Sequence, residues 1–248
     1  MARFCANLTM LFQELPLAHR FQAAADAGFD AVELLWPDEA EEPPEELARL
    51  ADAAGVEFAL MDTPRGDSWG IGAQDGQQMA FFGQIIRTID MADILGVTHV
   101  HVMAGLAGDG GRDVLTDNLI QACDLEPEQS FIIEPISTQA VPGYALNSFE
   151  AAAKVIAKVD RPNLGLLFDT FHAANMGHDP LNLFRKYQDL ICHVQVSSHP
   201  SRHEPTLENR YDFPTFFKAL DKAGYTGLIS GEYHPSGRTE DGLSWLKP

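Results

Sequence analysis

Glu134, Asp169, Gln195 and Glu232 each stand at or close to the C-terminal end of a short apolar run. The runs read Phe131-Ile132-Ile133-Glu134, Leu164-Gly165-Leu166-Leu167-Phe168-Asp169, Ile191-Cys192-His193-Val194-Gln195 and Leu228-Ile229-Ser230-Gly231-Glu232. Apolar stretches of this length, bounded by turn residues, read as buried parallel strands. An ionised carboxylate there is costly to bury unless a cation or hydrogen-bond donors compensate it. Three carboxylates and one amide oxygen gathered at one rim make a hard-oxygen site, which suits a divalent ion such as Mg²⁺ or Mn²⁺.

The elements that must position these residues alternate along the chain. Strand patterns begin near residues 3, 30, 56, 97, 130, 163, 190 and 227. Helical patterns lie between them over Leu17–Ala27, Pro44–Ala54, Gln78–Leu95, Val114–Cys123, Phe149–Val159, Pro180–Tyr187 and Phe213–Ala223. Glycine follows several helix ends, as at Ala27-Gly28, Ala54-Gly55, Leu95-Gly96 and Ala223-Gly224. Eight strands with interleaved helices point to a single (β/α)8 barrel over residues 1–248. No Gly-x-Gly-x-x-Gly follows the first strand, so a dinucleotide-binding sheet has little support. In a (β/α)8 barrel the C-terminal strand ends form the functional rim. Glu134, Asp169, Gln195 and Glu232 then fall on strands five to eight, near enough together to reach one ion.

Composition narrows the partners. The 248 residues, 45% of them hydrophobic, can bury one substantial core. No apolar stretch approaches the roughly 20 residues of a membrane span, and the first residues lack a signal-peptide layout. Cys5, Cys123 and Cys192 have no motif spacing and read as buried thiols in a reducing cytoplasm. A net charge of −19 argues against a nucleic-acid partner, since Lys and Arg drive phosphate binding. It also means that an anionic substrate needs a local patch of positive potential. Homo-oligomerisation is left open. The acidic run Asp38–Glu46 reads as a solvated loop and helix start.

Further residues bear on a substrate. His172, just beyond the sixth strand, can point toward substrate oxygens. Arg202 can grip a substrate carboxylate bidentately. His101 reads either as a pocket residue or as a core histidine, and Glu33 as a supporting or structural group. The segment Gly66-Asp67-Ser68-Trp69-Gly70 reads either as a lid or as an ordinary surface loop.

Several of these stretches carry a resemblance. Ala6-Asn7-Leu8-Thr9-Met10-Leu11-Phe12, Ala27-Gly28-Phe29-Asp30-Ala31-Val32-Glu33 and His99-Val100-His101-Val102-Met103-Ala104-Gly105 carry it in the first half. Ile133-Glu134-Pro135-Ile136, Val141-Pro142-Gly143-Tyr144, Phe168-Asp169-Thr170-Phe171-His172, His193-Val194-Gln195 and Arg202-His203-Glu204-Pro205 carry it in the second. Over nearly its whole length the chain resembles the hydroxypyruvate isomerase family of xylose-isomerase-like barrels. By position, the resemblance implies that Glu134, Asp169, Gln195 and Glu232 bind the metal and that Glu134 and Glu232 form the acid/base pair. The chain departs from the family in a shortened stretch between Asn118 and Ser130. It also has Asp62 where Asn is expected, followed by a short loop.

The chemistry follows from the site itself. Moving a carbonyl between adjacent carbons of a 2-hydroxy-ketone removes a C–H proton and returns one to the neighbouring carbon. A divalent ion stabilises the enediolate charge, while one carboxylate takes the proton and another can return it. No nicotinamide or flavin is required. The resemblance implies hydroxypyruvate to tartronate semialdehyde as the activity, on a small hydroxy-keto acid. Isomerisation of a 2-oxo-tetronate, 3-epimerisation of a sugar-like ketose and a non-catalytic ligand-binding barrel are the alternatives. A metal-rim endonuclease would need a cationic surface and more histidine ligands.

Overall fold

Period-two alternation along each apolar run decides which side chains enter a barrel and which meet its helices. The computed structural model describes residues 3–206 and 211–246. Its parallel strands are β1 Arg3–Asn7, β2 Ala31–Glu33, β3 Glu57–Asp62, β4 His99–His101, β5 Ser130–Ile133, β6 Leu164–Asp169, β7 Ile191–Val196 and β8 Leu228–Gly231. They pair in chain order, and β8 closes on β1. This is the expected (β/α)8 barrel, with each strand starting within two residues of the sequence reading. No helix of the described residues is long and apolar enough to cross a membrane.

The helices are α1 Leu17–Ala27, α2 Pro44–Ala54, α3 Gln78–Leu95, α4 Arg112–Leu125, α5 Phe149–Val159, α6 Thr170–Asn175, α7 Pro180–Tyr187 and α8 Phe213–Lys222. Helix α8 ends one residue before the expected Ala223, and two others differ for physical reasons. Helix α4 is longer at both ends than Val114–Cys123, because polar Arg112, Asp113 and Asp124 extend it outside the apolar pattern. Helix α6 has only six residues, too few for a periodic signal, and depends on Asp169, whose Oδ1 accepts from the Phe171 amide at 2.7 Å. Cys5 and Cys123 are buried, whereas Cys192 is partly exposed at the barrel's lower edge.

Strand β6 shows how the two faces separate. Leu164, Leu166 and Phe168 join the large core beneath the helices, while Leu167 joins the lumen cluster with Cys5, Ala31, Leu60, Ile132 and Leu228. Asp169 has the lumen parity of Leu167, one pleat nearer the mouth. The same register sets Asn7 beside Glu33, Asp62 beside His101 and Asp169 beside Gln195. An apolar plug thus lies below a polar upper layer.

Phe168 anchors the outer core behind the site. It is fully buried, with the Phe149 ring at 5.2 Å and the Phe184 ring edge-on at 6.0 Å. Phe168→Ala is expected to cost about 3–5 kcal/mol of unfolding free energy in urea denaturation, through lost burial and a cavity. A loss below about 1 kcal/mol would show that the aromatic cluster does not brace β6.

Candidate active site

The carboxylates reach the barrel mouth by the same device. Asp169 is the last residue of β6, while Glu134 and Glu232 each lie one residue past β5 and β8. All three are buried, as is Gln195 near the end of β7. The structure therefore brings the four expected metal-binding residues to one end of one barrel.

Beneath them, Glu33 at the end of β2 ties three strands together. Its Oε1 accepts from Asn7 Nδ2 at 2.7 Å and from Gln195 Nε2 at 2.8 Å. Its Oε2 lies 2.9 Å from His193 Nε2. Burial alone would push the Glu33 carboxyl up, but His193 and Gln195 outweigh it and hold it below its usual value. An ionised Glu33 can only accept, so it fixes which end of the Gln195 amide faces it. The amide oxygen is left for the mouth, as a hard-oxygen ligand requires.

Arg202 compensates two of the rim carboxylates. Its Nη2 donates to Glu232 Oε2 at 2.7 Å and lies 3.5 Å from Asp169 Oδ2. The guanidinium carbon sits 4.8 Å from the Phe171 ring centre. Burial works against the charge on Arg202, but Glu232, Asp169 and Glu134 together hold it well above its usual value. One guanidinium is not enough for three carboxylates. Burial pushes Asp169 up to about 6 against the opposing effect of Arg202. Glu232 is pushed up to about 8, by burial first and then by Asp169, with Arg202 again opposing. Glu134 is driven well above the carboxylate range by burial, Asp169 and Glu232, and its buried Oε1 has no hydrogen-bond partner. Excess negative charge, an orphaned carboxylate oxygen and an oriented amide oxygen are what a divalent cation would relieve. The residues fit one.

His172 closes one side of this group. Its Nε2 lies 3.8 Å from Glu134 Oε1 and 3.7 Å from Asp169 Oδ2, so the ring stands against both carboxylates. Burial, with Arg202 and His101, keeps the imidazole well below its usual pKa and therefore neutral. The Ser137 amide is directed at Nδ1 from 3.4 Å. That contact assigns the proton to Nε2 and makes His172 a donor toward ligand oxygens. His101, at the end of β4, pairs through Nδ1 with Asp62 Oδ1 at 3.0 Å, and its buried Nε2 has no partner. Burial, only partly offset by His101, raises the Asp62 carboxyl.

The sequence reading assigned no chemical role to Asn7, Asp62 or Ser137. Asn7 and Asp62 share strand-end lumen parity with Glu33 and His101, and that parity is the signal that finds them. Ser137 carries no such signal, because its place beside His172 depends on the course of the loop after β5.

The sequence model of the xylose isomerase-like TIM barrel family matches residues 21–248. A human relative that bears the provisional name hydroxypyruvate isomerase is 38% identical over 99% of this chain and 94% of its own. A 2-oxo-tetronate isomerase from Haemophilus influenzae is 36% identical over 100% of this chain and 99% of its own. A crystal structure from Brucella melitensis, described as an AP endonuclease of family 2, is similar with a TM-score of 0.95 and 32% identity. It covers 100% of this chain and 99% of that one.

Two measurements test this geometry. Glu33→Gln removes no proposed ligand, yet it frees the Gln195 amide to turn. Calorimetric Mn²⁺ affinity is expected to fall on the order of 10–100-fold, and wild-type affinity would show that Glu33 does not orient the site. The second measurement is pH dependence. Carboxyls raised on folding bind protons more tightly in the folded state, so the contribution of these two to metal-free stability is fullest below their unfolded values. It is lost as pH rises through about 6 and about 8. Metal binding needs the ionised forms, so the rise in melting temperature on adding Mg²⁺ is expected to grow over the same window. A rise that does not change with pH would contradict the charge account.

Proposed function

Since the chain belongs to the xylose isomerase-like TIM barrel family, we propose that it is a metal-dependent isomerase converting hydroxypyruvate to tartronate semialdehyde. The protein is an isomerase of that family, and the substrate and the metal requirement are the proposed part. One observation carries the reading: Glu134, Asp169 and Glu232 lie buried at one rim with a single guanidinium among them.

The reaction moves one proton from carbon 3 to carbon 2 and one between the attached oxygens, with no net gain or loss of electrons. Glu134 and Glu232 project from strands on different parts of the ring, so they can flank the reacting carbons. Glu134, whose Oε1 has no partner, is well placed to take a proton, and Glu232, paired with Arg202, to return one. Their roles exchange when the reaction runs backward. His172 donates through Nε2 to a substrate oxygen, and His101 offers its unpartnered Nε2 to a hydroxyl. Arg202, already balanced by two carboxylates, meets the substrate with the edge that Glu232 and Asp169 leave free. Glu134, Asp169, Gln195 and Glu232 would hold a divalent ion, Mg²⁺ or Mn²⁺ by the hardness of those donors, which would supply Lewis-acid stabilisation of the enediolate charge.

A 2-oxo-tetronate fits the same chemistry with a longer tail, in keeping with the name of the Haemophilus influenzae relative. A ketose undergoing 3-epimerisation is the neutral alternative. DNA fits poorly despite the name of the Brucella melitensis structure, because the rim is acidic and the net charge is −19.

Chelator is expected to abolish hydroxypyruvate turnover, and Mg²⁺ or Mn²⁺ to restore it; full activity of metal-free protein would sink the proposal. Glu134→Gln and Glu232→Gln keep a coordinating oxygen but cannot accept a proton. Each is expected to retain part of the metal affinity while losing on the order of 10²–10⁴-fold in rate. Asp169→Asn and Gln195→Ala are expected mainly to weaken the metal, with rate partly recovered at high Mn²⁺. Near-normal turnover of either glutamine variant removes that residue from proton transfer.

A further inference from the structure

Across the mouth from β6 and β7, the rim at β2 and β3 carries a second arginine with different surroundings. Arg65 lies three residues past the end of β3, with its guanidinium 4.4 Å from the Trp36 ring centre and 5.6 Å from that of Trp69. The two indoles meet edge to face at 6.4 Å. Trp36 lies three residues past the end of β2, as Arg65 does past β3, so both stand on the C-terminal rim that also carries the carboxylates.

The loop that carries Arg65 is held in shape. The Gly70 amide donates to the Arg65 carbonyl at 2.6 Å, the Leu106 amide to the Ser68 carbonyl at 2.9 Å and the Met103 amide to Thr63 Oγ1 at 3.0 Å. Gly70 has a φ of +97°, and any side chain there would collide with Met103. Trp69 is held at a φ of +56°, which costs energy for a residue with a side chain. Strain of this kind persists where the surroundings over-determine it, and such places are often ligand clamps.

The polar atoms are undersatisfied in one sense only. Arg65 Nε and Trp36 Nε1 are both buried donors without an acceptor. The ion pair of Arg65 with Glu39 spans 3.7 Å between side chains 37% and 49% exposed, too long and too wet to satisfy it. Arg202 faces two carboxylates, whereas Arg65 is a guanidinium set against two aromatic rings with donors to spare. An acceptor with two oxygens in a plane completes it.

We propose that Arg65, held on Trp36 and Trp69, binds the carboxylate of the substrate and selects hydroxy-keto acids over neutral ketoses. This rests on the isomerase reading for its substrate class. It supplies the local positive potential that an anionic substrate needs in a chain of net charge −19. It also places the recognised end of the substrate opposite the carboxylates that handle its reacting carbons, where like charges would otherwise repel it.

The test uses tartronate, a non-reacting hydroxy-dicarboxylate, titrated by calorimetry into Mg²⁺-supplemented wild type, Arg65→Gln and Arg65→Lys. Arg65→Gln is expected to weaken tartronate on the order of 10–100-fold, with Mn²⁺ affinity and melting temperature unchanged. Arg65→Lys, which keeps the charge but loses the fork, falls between. In turnover, KM for hydroxypyruvate is expected to rise in Arg65→Gln while kcat holds. No tartronate binding by wild type, unchanged tartronate affinity in Arg65→Gln, or a loss in parallel with Mn²⁺ affinity would each overturn the clamp. If wild type fails to isomerise hydroxypyruvate yet binds tartronate through Arg65, the proposed activity fails and the clamp stands.

Discussion

Five buried carboxylates at one end of a barrel set the problem that the rest of the molecule answers. Glu33, Asp62, Glu134, Asp169 and Glu232 are all nearly inaccessible to water. Each would be expensive to leave ionised and alone. The chain treats them unequally. Glu33 receives two amide donors and a histidine, and Asp62 a histidine. Asp169 and Glu232 share one arginine, while Glu134 Oε1 receives nothing. This gradient runs from a fully satisfied carboxylate at β2 to less satisfied ones at β5 and β8. Full satisfaction fixes position, and partial satisfaction raises proton affinity, as acid/base groups require.

The gradient depends on the barrel being parallel and closed. A parallel barrel delivers eight strand ends to one plane, and lumen parity selects one side chain from each. Cys5, Ala31, Leu60, Ile132, Leu167 and Leu228 plug the lumen below. The plug keeps water from reaching the polar layer from beneath and leaves the mouth as the side from which a ligand can meet the carboxylates. Phe168 and the rings around it make β6 stiff from outside, so the geometry at Asp169 is carried by packing two pleats deep.

How much of this was legible in the sequence follows from the range of each interaction. The strands and the residues at their ends were readable because apolar runs bounded by turns report local burial, and Glu134, Asp169, Gln195 and Glu232 each close such a run. Glu33 ends a run too, but its partners His193 and Gln195 lie on β7, more than 150 positions away, and only barrel closure makes them neighbours. Helix α6 was invisible because six residues hold no period and a single cap defines it. The second cation at the mouth was the hardest to see. A glycine-rich stretch after β3 reads as flexible, yet Gly70 is there because Met103 leaves no room for a side chain. The loop packs on Met103 at Gly70, and in that conformation Arg65 lies over the Trp69 ring.

The two arginines show why residue type alone does not assign a role. Both are candidate carboxylate grips by chemistry, and the sequence reading singled out Arg202 because a guanidinium binds a carboxylate bidentately. Position divides them. Arg202 lies within hydrogen-bond reach of the protein's own carboxylates, and its charge is spent on keeping Asp169 and Glu232 from rising further out of the ionised range. Removing it would perturb the site whether or not a substrate is bound. Arg65 sits between two indole rings and has only a long, exposed ion pair with Glu39, so most of its donors stay open to an incoming anion. On the proposed reading, in which the site concentrates negative charge and still admits a negative substrate, these two functions fall to separate residues at separate sides of the mouth.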